Sequence, residues 1–435
     1  MKDIQDFIEN KEQDVRISNI FSDTMFNELL YEMKGQNLSG LPVLKCYWSD
    51  DYSKRMAIQG FLMDKLLGTK RLASMPDRIT NTINLHNGGL AFRPSALNAY
   101  NGEPLSSLDL WWFQWKKFMF HTEVQVFTGA ADSAADPQVV CSLITPILRG
   151  KYPAITEEEQ AISVPLQILC LAILDAVFIH ILNTVSPDAW QGIRHSLCEA
   201  LIFGKAPKVC NILAQSYSAF DVIFLQEAAA VFVQHARAHP DLHAQFFVLA
   251  PRVLDGKRDQ NSLILASRRR FREESGEDVT QRVLDGLGGA WAAPGDLLVS
   301  SVEDRRAGGR WLLASFHGDS NGLSAQPLVL ALCDAAAVEF GDHALLAGLD
   351  ANTVSAAEEG CRHQSVPGFA QCLRGQGLLS VWGPDPDPAA WTSFSSRTFM
   401  QTQLHKAVPY RDRFARAQRS LKDWIVASER EVSLL

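Results

Sequence analysis

The stretch Trp311-Leu312-Leu313-Ala314-Ser315-Phe316-His317-Gly318-Asp319-Ser320-Asn321-Gly322 decides how the second half of this chain is read. Its apolar lead, Trp311–Ala314, reads as a buried strand. His317, Asp319 and Asn321 follow where the strand gives way to a loop bounded by glycines. Two other strand ends have the same form. Val222-Ile223-Phe224-Leu225 runs into Gln226-Glu227, and Ala344-Leu345-Leu346-Ala347 runs into Gly348-Leu349-Asp350-Ala351-Asn352. Strands that finish in Glu, His and Asp-x-Asn, separated by helical stretches, can gather an acid, an imidazole and an acid–amide pair around one cleft. Such groups suit metal-assisted attack on a phosphate ester.

The flanking sequence supplies the rest of an α/β pattern. Val209–Ala214 reads as a helix, and Phe246–Leu249 and Ser262–Ala266 as short strands. Gly295–Val302 and Arg310–Ala314 flank Arg305-Arg306-Ala307-Gly308-Gly309, a hairpin signal. A helix is expected over Leu328–Phe340, a strand after Gly375, and a last strand at Lys422-Asp423-Trp424-Ile425-Val426-Ala427-Ser428. Hairpins together with helix-separated strands imply mixed sheets covered by helices.

Residues 1–205 read differently, as a mainly helical accessory or inserted region. Asp6–Glu9 and Met25–Met33 carry apolar residues at helical spacing. Leu67–Asp77 looks like a polar, basic connection, and Arg78–Leu85 like a short strand. Leu108–Phe120 is a helix whose tryptophans, Trp111, Trp112 and Trp115, are expected in the core. Gly129–Pro137 reads as a loop. Thr156-Glu157-Glu158-Glu159 is a capping box expected to open the long apolar helix that follows. That helix, Leu166–Leu182, contains Gln167, Asp175 and His180 and follows Pro165. A spanning helix needs roughly 20 apolar residues with few or no charges. A buried core helix is therefore expected, with partners for Asp175 and His180 inside the fold and no transmembrane segment.

Composition bounds these expectations. A chain of 435 residues, 47% hydrophobic and 21% charged, can bury more than one core. A net charge of −8 argues against a general nucleic-acid coat protein. The eight cysteines show no CxxC pair, and the polar, acidic start is no secretory signal. A reducing compartment follows as the expectation: intracellular, cytoplasmic first, with the nucleus open.

The chemistry falls to four residues. Glu227 is the natural ligand for a hard cation, Mg²⁺ or Mn²⁺, which prefers carboxylate oxygen. Asp350 can orient or deprotonate a water, Asn352 can donate to a non-bridging phosphate oxygen, and His317 can donate to the phosphate. Taken singly each is ordinary, since Asp-x-Asn is a common turn; their order and strand context make the case.

Phe220-Asp221-Val222-Ile223-Phe224-Leu225-Gln226-Glu227, the His317 strand and Gly348-Leu349-Asp350-Ala351-Asn352 resemble successive motifs of the endonuclease/exonuclease/phosphatase superfamily, the deoxyribonuclease I-like group. Lys422-Asp423-Trp424-Ile425-Val426 resembles its later strand. The resemblance covers roughly residues 206–435. It implies a four-layer sandwich of two mixed β-sheets flanked by helices, and Mg²⁺-dependent phosphoester hydrolysis. It also implies Glu227 as metal ligand, His317 as phosphate contact, Asp350 and Asn352 as the water- and phosphate-orienting pair, and Asp423 as a supporting carboxylate. Asp319 and Asn321 suit a narrower branch with a His-Gly-Asp-x-Asn-Gly pattern, accompanied by Ser395-Ser396-Arg397-Thr398-Phe399. The substrate stays open among nucleic acid, inositol phosphate and phospholipid headgroup, because these branches share strand ends and differ in loops.

Two departures from the pattern qualify the activity. The family opens on a strand ending in a catalytic Asn and closes on a strand-end Asp-His. Leu97-Asn98-Ala99-Tyr100-Asn101 is a candidate for the first, but the favoured expectation is that this strand precedes Met1 and that the chain lacks both ends of the domain. No Asp-His follows the Asp423 strand, and His363 and His405, the alternatives to it, stand at no strand end. A catalytically silent binding protein on the same fold is the competing expectation. Two weaker signals read as structural. The run Ser267–Arg272 is expected as a solvated, salt-bridged face. His235, His239 and His243 have helical spacing that Pro240 interrupts. No Gly-rich phosphate loop, nucleophile elbow or zinc-spaced Cys cluster is present.

Overall fold

The run Trp311–Phe316 is apolar at every position but Ser315, and both of its faces are buried. Side chains alternate across a strand, so a run without polar alternation belongs to a sheet covered on both sides. A computed structural model describes residues 2–428, except 11–12, 97, 127–135, 151, 257, 288–291, 307, 356–362, 388 and 397–416. Residues up to Phe203 cluster into one compact unit, and Gly204–Ser396, with the chain from Ala417, into another.

The first unit is mainly helical. Its helices are α1 (Lys2–Glu9), α2 (Asp23–Gly35), α3 (Leu41–Asp50), α4 (Lys65–Lys70), α5 (Ser74–Thr80), α6 (Leu108–Lys116), α7 (Glu157–Ala161), α8 (Ser163–Val185) and α9 (Trp190–Cys198). Two small antiparallel pairs join them: β1 (Thr82–Asn84) with β2 (Leu90–Phe92), and β3 (Glu123–Val124) with β4 (Gln138–Val139). The expected basic connection after Leu67 is instead α4 and α5, separated at Arg71, which takes φ +65°. The expected strand over 78–85 shrinks to β1, because α5 takes the residues before it. The capping box is present, with Thr156 and Glu159 closing it reciprocally, but it opens the short α7 rather than the long helix.

Helix α8 is apolar nearly all round, which marks a helix buried on every side. By length and composition it could cross a bilayer, yet 72% of its most apolar window is buried inside the protein. Its one acid, Asp175, accepts from Arg93 Nε at 2.7 Å, Arg93 Nη2 at 3.1 Å and Trp115 Nε1 at 2.9 Å. Trp111, Trp112 and Trp115 pack in the same core.

The second unit has four layers. Strands β5 (Val222–Ala228), β6 (Phe246–Leu249) and β7 (Asn261–Ser267) form an antiparallel sheet in the order β5-β7-β6. Strands β8 (Glu277–Asp278), β9 (Leu297–Glu303), β10 (Arg310–His317), β11 (His343–Asp350), β12 (Leu378–Ser380) and β15 (Asp423–Ser428) form a mixed sheet in the order β12-β15-β11-β10-β9-β8. Only β10 and β11 run parallel in it, joined through helix α14 (Ala325–Val338). A hairpin-like pair, β13 (Ser393–Ser396) and β14 (Ala417–Ser420), stands apart.

Three apolar clusters define the layers. Helices α10 (Lys205–Ser216), α11 (Ala230–Ala238) and α12 (Pro240–Gln245) pack on the outer face of the small sheet through Leu213, Phe232, Leu242, Leu263 and Leu265. Phe247, Ile264, Leu298, Trp311, Leu313 and Leu346 fill the space between the sheets. Leu312, Ala314, Phe316, Leu345, Leu349 and Trp424 face α14, with α13 (Thr280–Gly286) and α15 (Val366–Gly375) on the same side. The order is helix, sheet, sheet, helix, the expected four-layer sandwich.

Candidate functional site

Parity along the strands places the site before any distance is measured. On β10 the odd positions Trp311 and Leu313 face the other sheet, so His317 faces that way too. On β11 the inward set is Ala344, Leu346 and Gly348, which brings Asp350 to the same face. On β15 Ala427 points inward, and Asp423 shares its parity. Register aligns the three: His317 pairs with Asp350 across β10–β11, and Asp350 with Asp423 across β11–β15.

The row has a fourth member that the sequence reading did not single out. Phe316 pairs with Leu297, so the residue before β9, Asp296, lies beside His317, whose backbone N–H donates to Asp296 O at 2.8 Å. The Asp296 carboxylate lies 3.6 Å from His317 Nδ1 and accepts from Arg258 Nη2 at 2.8 Å and from Ala293 N at 3.0 Å. The signal was available: a strand start whose parity matches Leu298, antiparallel to the histidine strand across the hairpin.

Glu227 enters from the other sheet by a break in parity. Ile223 and Leu225 face the outer helices and Phe224 the inter-sheet core, so a regular strand would send Glu227 outward. Pairing shifts between Leu225 and Ala228, and Glu227 takes φ +54°. Such a bulge inserts one residue and re-aims the side chains around it. Glu227 Oε1 then stands 3.6 Å from His317 Nε2 and accepts from Gln260 Nε2 at 3.2 Å. Gln226, before it, stitches the sheets together by donating to Ser315 Oγ at 3.0 Å and Gly348 O at 3.1 Å, while Ser315 Oγ donates to Leu225 O at 3.1 Å.

Asn352 sits past the end of β11 at φ +49°, with its backbone N–H on Asp350 Oδ1 at 3.1 Å. Its Nδ2 donates to Gly318 O at 2.9 Å, and its Oδ1 accepts from Lys422 Nζ at 2.7 Å. Neighbouring bonds fix the loop: Gly318 N to Asp350 O at 2.7 Å, and Ala351 N to Lys422 O at 2.8 Å.

The charges act on one another. The Asp296 carboxylate, the largest influence, raises His317 above its ordinary 6.5; burial opposes it, and Glu227 and Asp350 add to the rise. For Asp296 burial pulls upward, but His317, Arg258 and the Ala293 N–H outweigh it and leave the group below 3.8. Burial and the Asp423 charge raise Asp350 above 3.8 against the pull of the Asn352 N–H, His317 and Lys422. The row thus holds an imidazole that binds its proton more tightly than usual beside a carboxyl weaker as an acid than usual.

Other expected residues lie elsewhere. Asp319 turns back on its own loop, accepting from Ser324 N at 2.8 Å and Ser324 Oγ at 2.7 Å. Asn98 is buried in the helical unit, its Nδ2 donating to Asn81 O and Arg93 O, so its amide is engaged in that unit's core. His239 caps α12 and contacts Asn211, and does not join His235 and His243 on one helix. Arg268, Arg269, Arg270 and Arg272 pair with Glu273, Asp221, Asp304 and Glu303. His405, Cys361 and Arg397–Phe399 fall outside the described residues.

A divalent metal can be tested against these donors. Among the described residues no group of three or more His, Cys, Asp or Glu is set to hold an ion by itself. Mg²⁺ rarely needs one, since it usually keeps waters and takes one or two carboxylates plus substrate phosphate. The half-exposed carboxylate of Glu227 and its hard oxygens fit that mode.

Residues 14–195 match the model of a domain of unknown function, DUF8234. No curated protein matches the chain. Solved structures similar to it include D. rerio TDP2 complexed with a single-strand DNA product, at 15% identity and TM-score 0.32, covering 52% of this chain and 77% of that one. An endonuclease/exonuclease/phosphatase family protein from Bacteroides thetaiotaomicron matches at 14% identity and TM-score 0.35, over 52% and 74%. The mannosyl-6-phosphatase of the same organism matches at 14% and 0.35, over 52% and 77%. These similarities extend over about half of this chain.

Proposed function

We propose that the α/β unit hydrolyses a phosphate ester with the help of a divalent cation, Mg²⁺ or Mn²⁺. The observation that carries this reading is the alignment of His317, Asp350 and Asp423 on one sheet face, with Glu227 brought from the facing sheet to 3.6 Å from His317. Glu227 would hold the cation, which when bound supplies positive charge to the phosphate oxygens and lowers the barrier to attack at phosphorus. The chain's own groups do the rest. Asp350, kept less acidic by burial and by Asp423, takes the proton of the attacking water. Asn352 donates an N–H to a non-bridging oxygen, and His317, whose hold on its proton the Asp296 carboxylate strengthens, donates to the phosphate as charge builds there.

The test is turnover of a chromogenic phosphomonoester and phosphodiester with and without Mg²⁺ or Mn²⁺. Glu227→Ala and Asp350→Ala should each lower the rate by roughly 10²-fold or more. Chelation should abolish turnover and added metal restore it. Absence of metal-dependent turnover with either ester overturns the enzymatic reading, and ester binding by calorimetry without turnover would instead identify a silent phosphate-ester binder on the same fold.

A further inference from the structure

Asn352 carries a constraint that the phosphoester reading does not use. Lys422 Nζ lies 2.7 Å from Asn352 Oδ1, and Asn352 Nδ2 lies 2.9 Å from Gly318 O. An ammonium can only donate and a backbone carbonyl can only accept. The two contacts therefore exclude the flipped amide, which would set an N–H against the ammonium and a carbonyl against a carbonyl. Asn352 is buried, so water does not readily replace either partner. Of the two Nδ2 hydrogens one goes to Gly318, and among the described residues no second acceptor is recorded for the other.

Lys422 is itself anchored. Its backbone N–H donates to Thr392 Oγ1 at 3.0 Å, and its carbonyl accepts from Ala351 N at 2.8 Å. The same Thr392 hydroxyl receives the Asp423 N–H at 3.0 Å. Lys422 thus springs from the end of β15, beside Asp423, and crosses to the loop after β11. Among the described residues it reaches the amide and not a carboxylate, although Asp350 and Asp423 stand on the neighbouring strand ends.

We propose that Lys422 is a positioning residue: its ammonium locks the Asn352 amide with oxygen inward, so that the free N–H is presented to a phosphate oxygen of the substrate. The substrate half of this inference rests on the phosphoester reading; the amide lock does not. Without the ammonium the amide can rotate, and a donor at the site becomes an acceptor for part of the time. An acceptor facing a phosphate oxygen repels it, so the rate falls more than binding does.

Two measurements decide it, on the full chain. The first follows the Asn352 side-chain NH₂ resonances in protein labelled with ¹⁵N-asparagine, assigned through Asn352→Asp. In Lys422→Met, which keeps the aliphatic stem, they should shift or broaden, and in Lys422→Arg they should stay near the wild-type positions. Unmoved resonances in Lys422→Met overturn the lock whatever the activity. The second is turnover with Mg²⁺ of whichever ester the wild type cleaves. Lys422→Met should lower kcat by roughly 10- to 100-fold with little change in KM, the scale on which misplaced groups cost rate. Lys422→Arg should recover most of it, and Lys422→Met/Asn352→Ala should be no slower than Asn352→Ala alone. Additive losses would mean that Lys422 acts on substrate directly, and would sink the proposal. Should wild-type protein cleave neither ester, the phosphoester reading fails by itself while the resonances still decide the lock.

Discussion

At the scale of single residues, the site depends on two backbone positions that ordinary side chains avoid. Glu227 and Asn352 both occupy the left-handed region, at φ +54° and +49°. Asn tolerates it because its short amide bonds locally; Glu has no such relief, and the strain costs of order 1–2 kcal/mol. Glycine removes that strain, whereas alanine keeps it. Glu227→Gly should therefore be more stable than Glu227→Ala, by about 1 kcal/mol, although both lose the carboxylate. Urea midpoints of the two variants check this, and equal midpoints would show that the bulge is relaxed. The opposite demand holds at Gly348, where a Cβ would lie 2.3 Å from Phe224 Cγ across the gap between the sheets. Gly348→Ala should cost about 1–3 kcal/mol through forced separation of the sheets. Circular dichroism during urea unfolding reads it, and a cost under about 0.5 kcal/mol would mean that the β5 backbone at Phe224 yields easily.

Among elements, the β9–β10 hairpin shows both what the sequence made legible and what it hid. The Arg-Arg-x-Gly-Gly signal announced the turn, and the apolar run announced a doubly covered strand. The meaning of Asp296 was only half legible: its parity with Leu298 could be read, but which residue stands opposite His317 could not, because register belongs to the folded pair rather than to either strand. The bulge at Glu227 was hidden for a related reason, since nothing in Leu-Gln-Glu-Ala distinguishes a regular strand from one with an inserted residue. In the helical unit, Leu67–Asp77 misled by composition: its polar surface belongs to two short helices, the first of them capped by Asp64, a local signal that charge obscured. The same hairpin yields a pH prediction. Asp304, in its turn, is buried and accepts from Arg306 N at 2.8 Å, Arg270 Nε at 2.6 Å and Trp311 Nε1 at 3.2 Å. Burial alone would raise it, but these donors outweigh burial and hold it below 3.8. A depressed acid stabilises the fold above its unfolded value, and that stabilisation drains away as pH falls through the lower folded value. Asp304→Asn should be less stable than wild type by roughly 1–3 kcal/mol at neutral pH. The gap should narrow toward pH 3. Urea midpoints at both pH values test it, and a gap independent of pH would assign the loss to packing instead of charge.

Across the whole molecule, the question with most consequence is what keeps α8 inside. A 23-residue helix of this apolar composition would be comfortable in a bilayer. What favours the protein interior is its one acid. Asp175, 2% exposed, meets the fully buried guanidinium of Arg93, which also reaches Asp77 and Thr80. A buried ion pair adds little by comparison with well-packed apolar groups, but removing one member strands the other, at about 3–5 kcal/mol. Arg93→Met keeps much of the volume and removes the charge, leaving Asp175 with Trp115 Nε1 as its one side-chain donor among the described residues. The helical unit has its own core, separate from the three clusters of the α/β unit, so the loss should fall on that unit first. Calorimetry should show the transition belonging to residues 2–203 moving down by several degrees, while metal-dependent turnover below that transition is unchanged. Between that lowered transition and the wild-type one the variant should bind an apolar dye and float with phosphatidylcholine vesicles, as α8 becomes accessible, whereas wild-type protein should do neither. Wild-type flotation with those vesicles would reverse the argument, because it would show that α8 leaves the core without any loss of its ion pair.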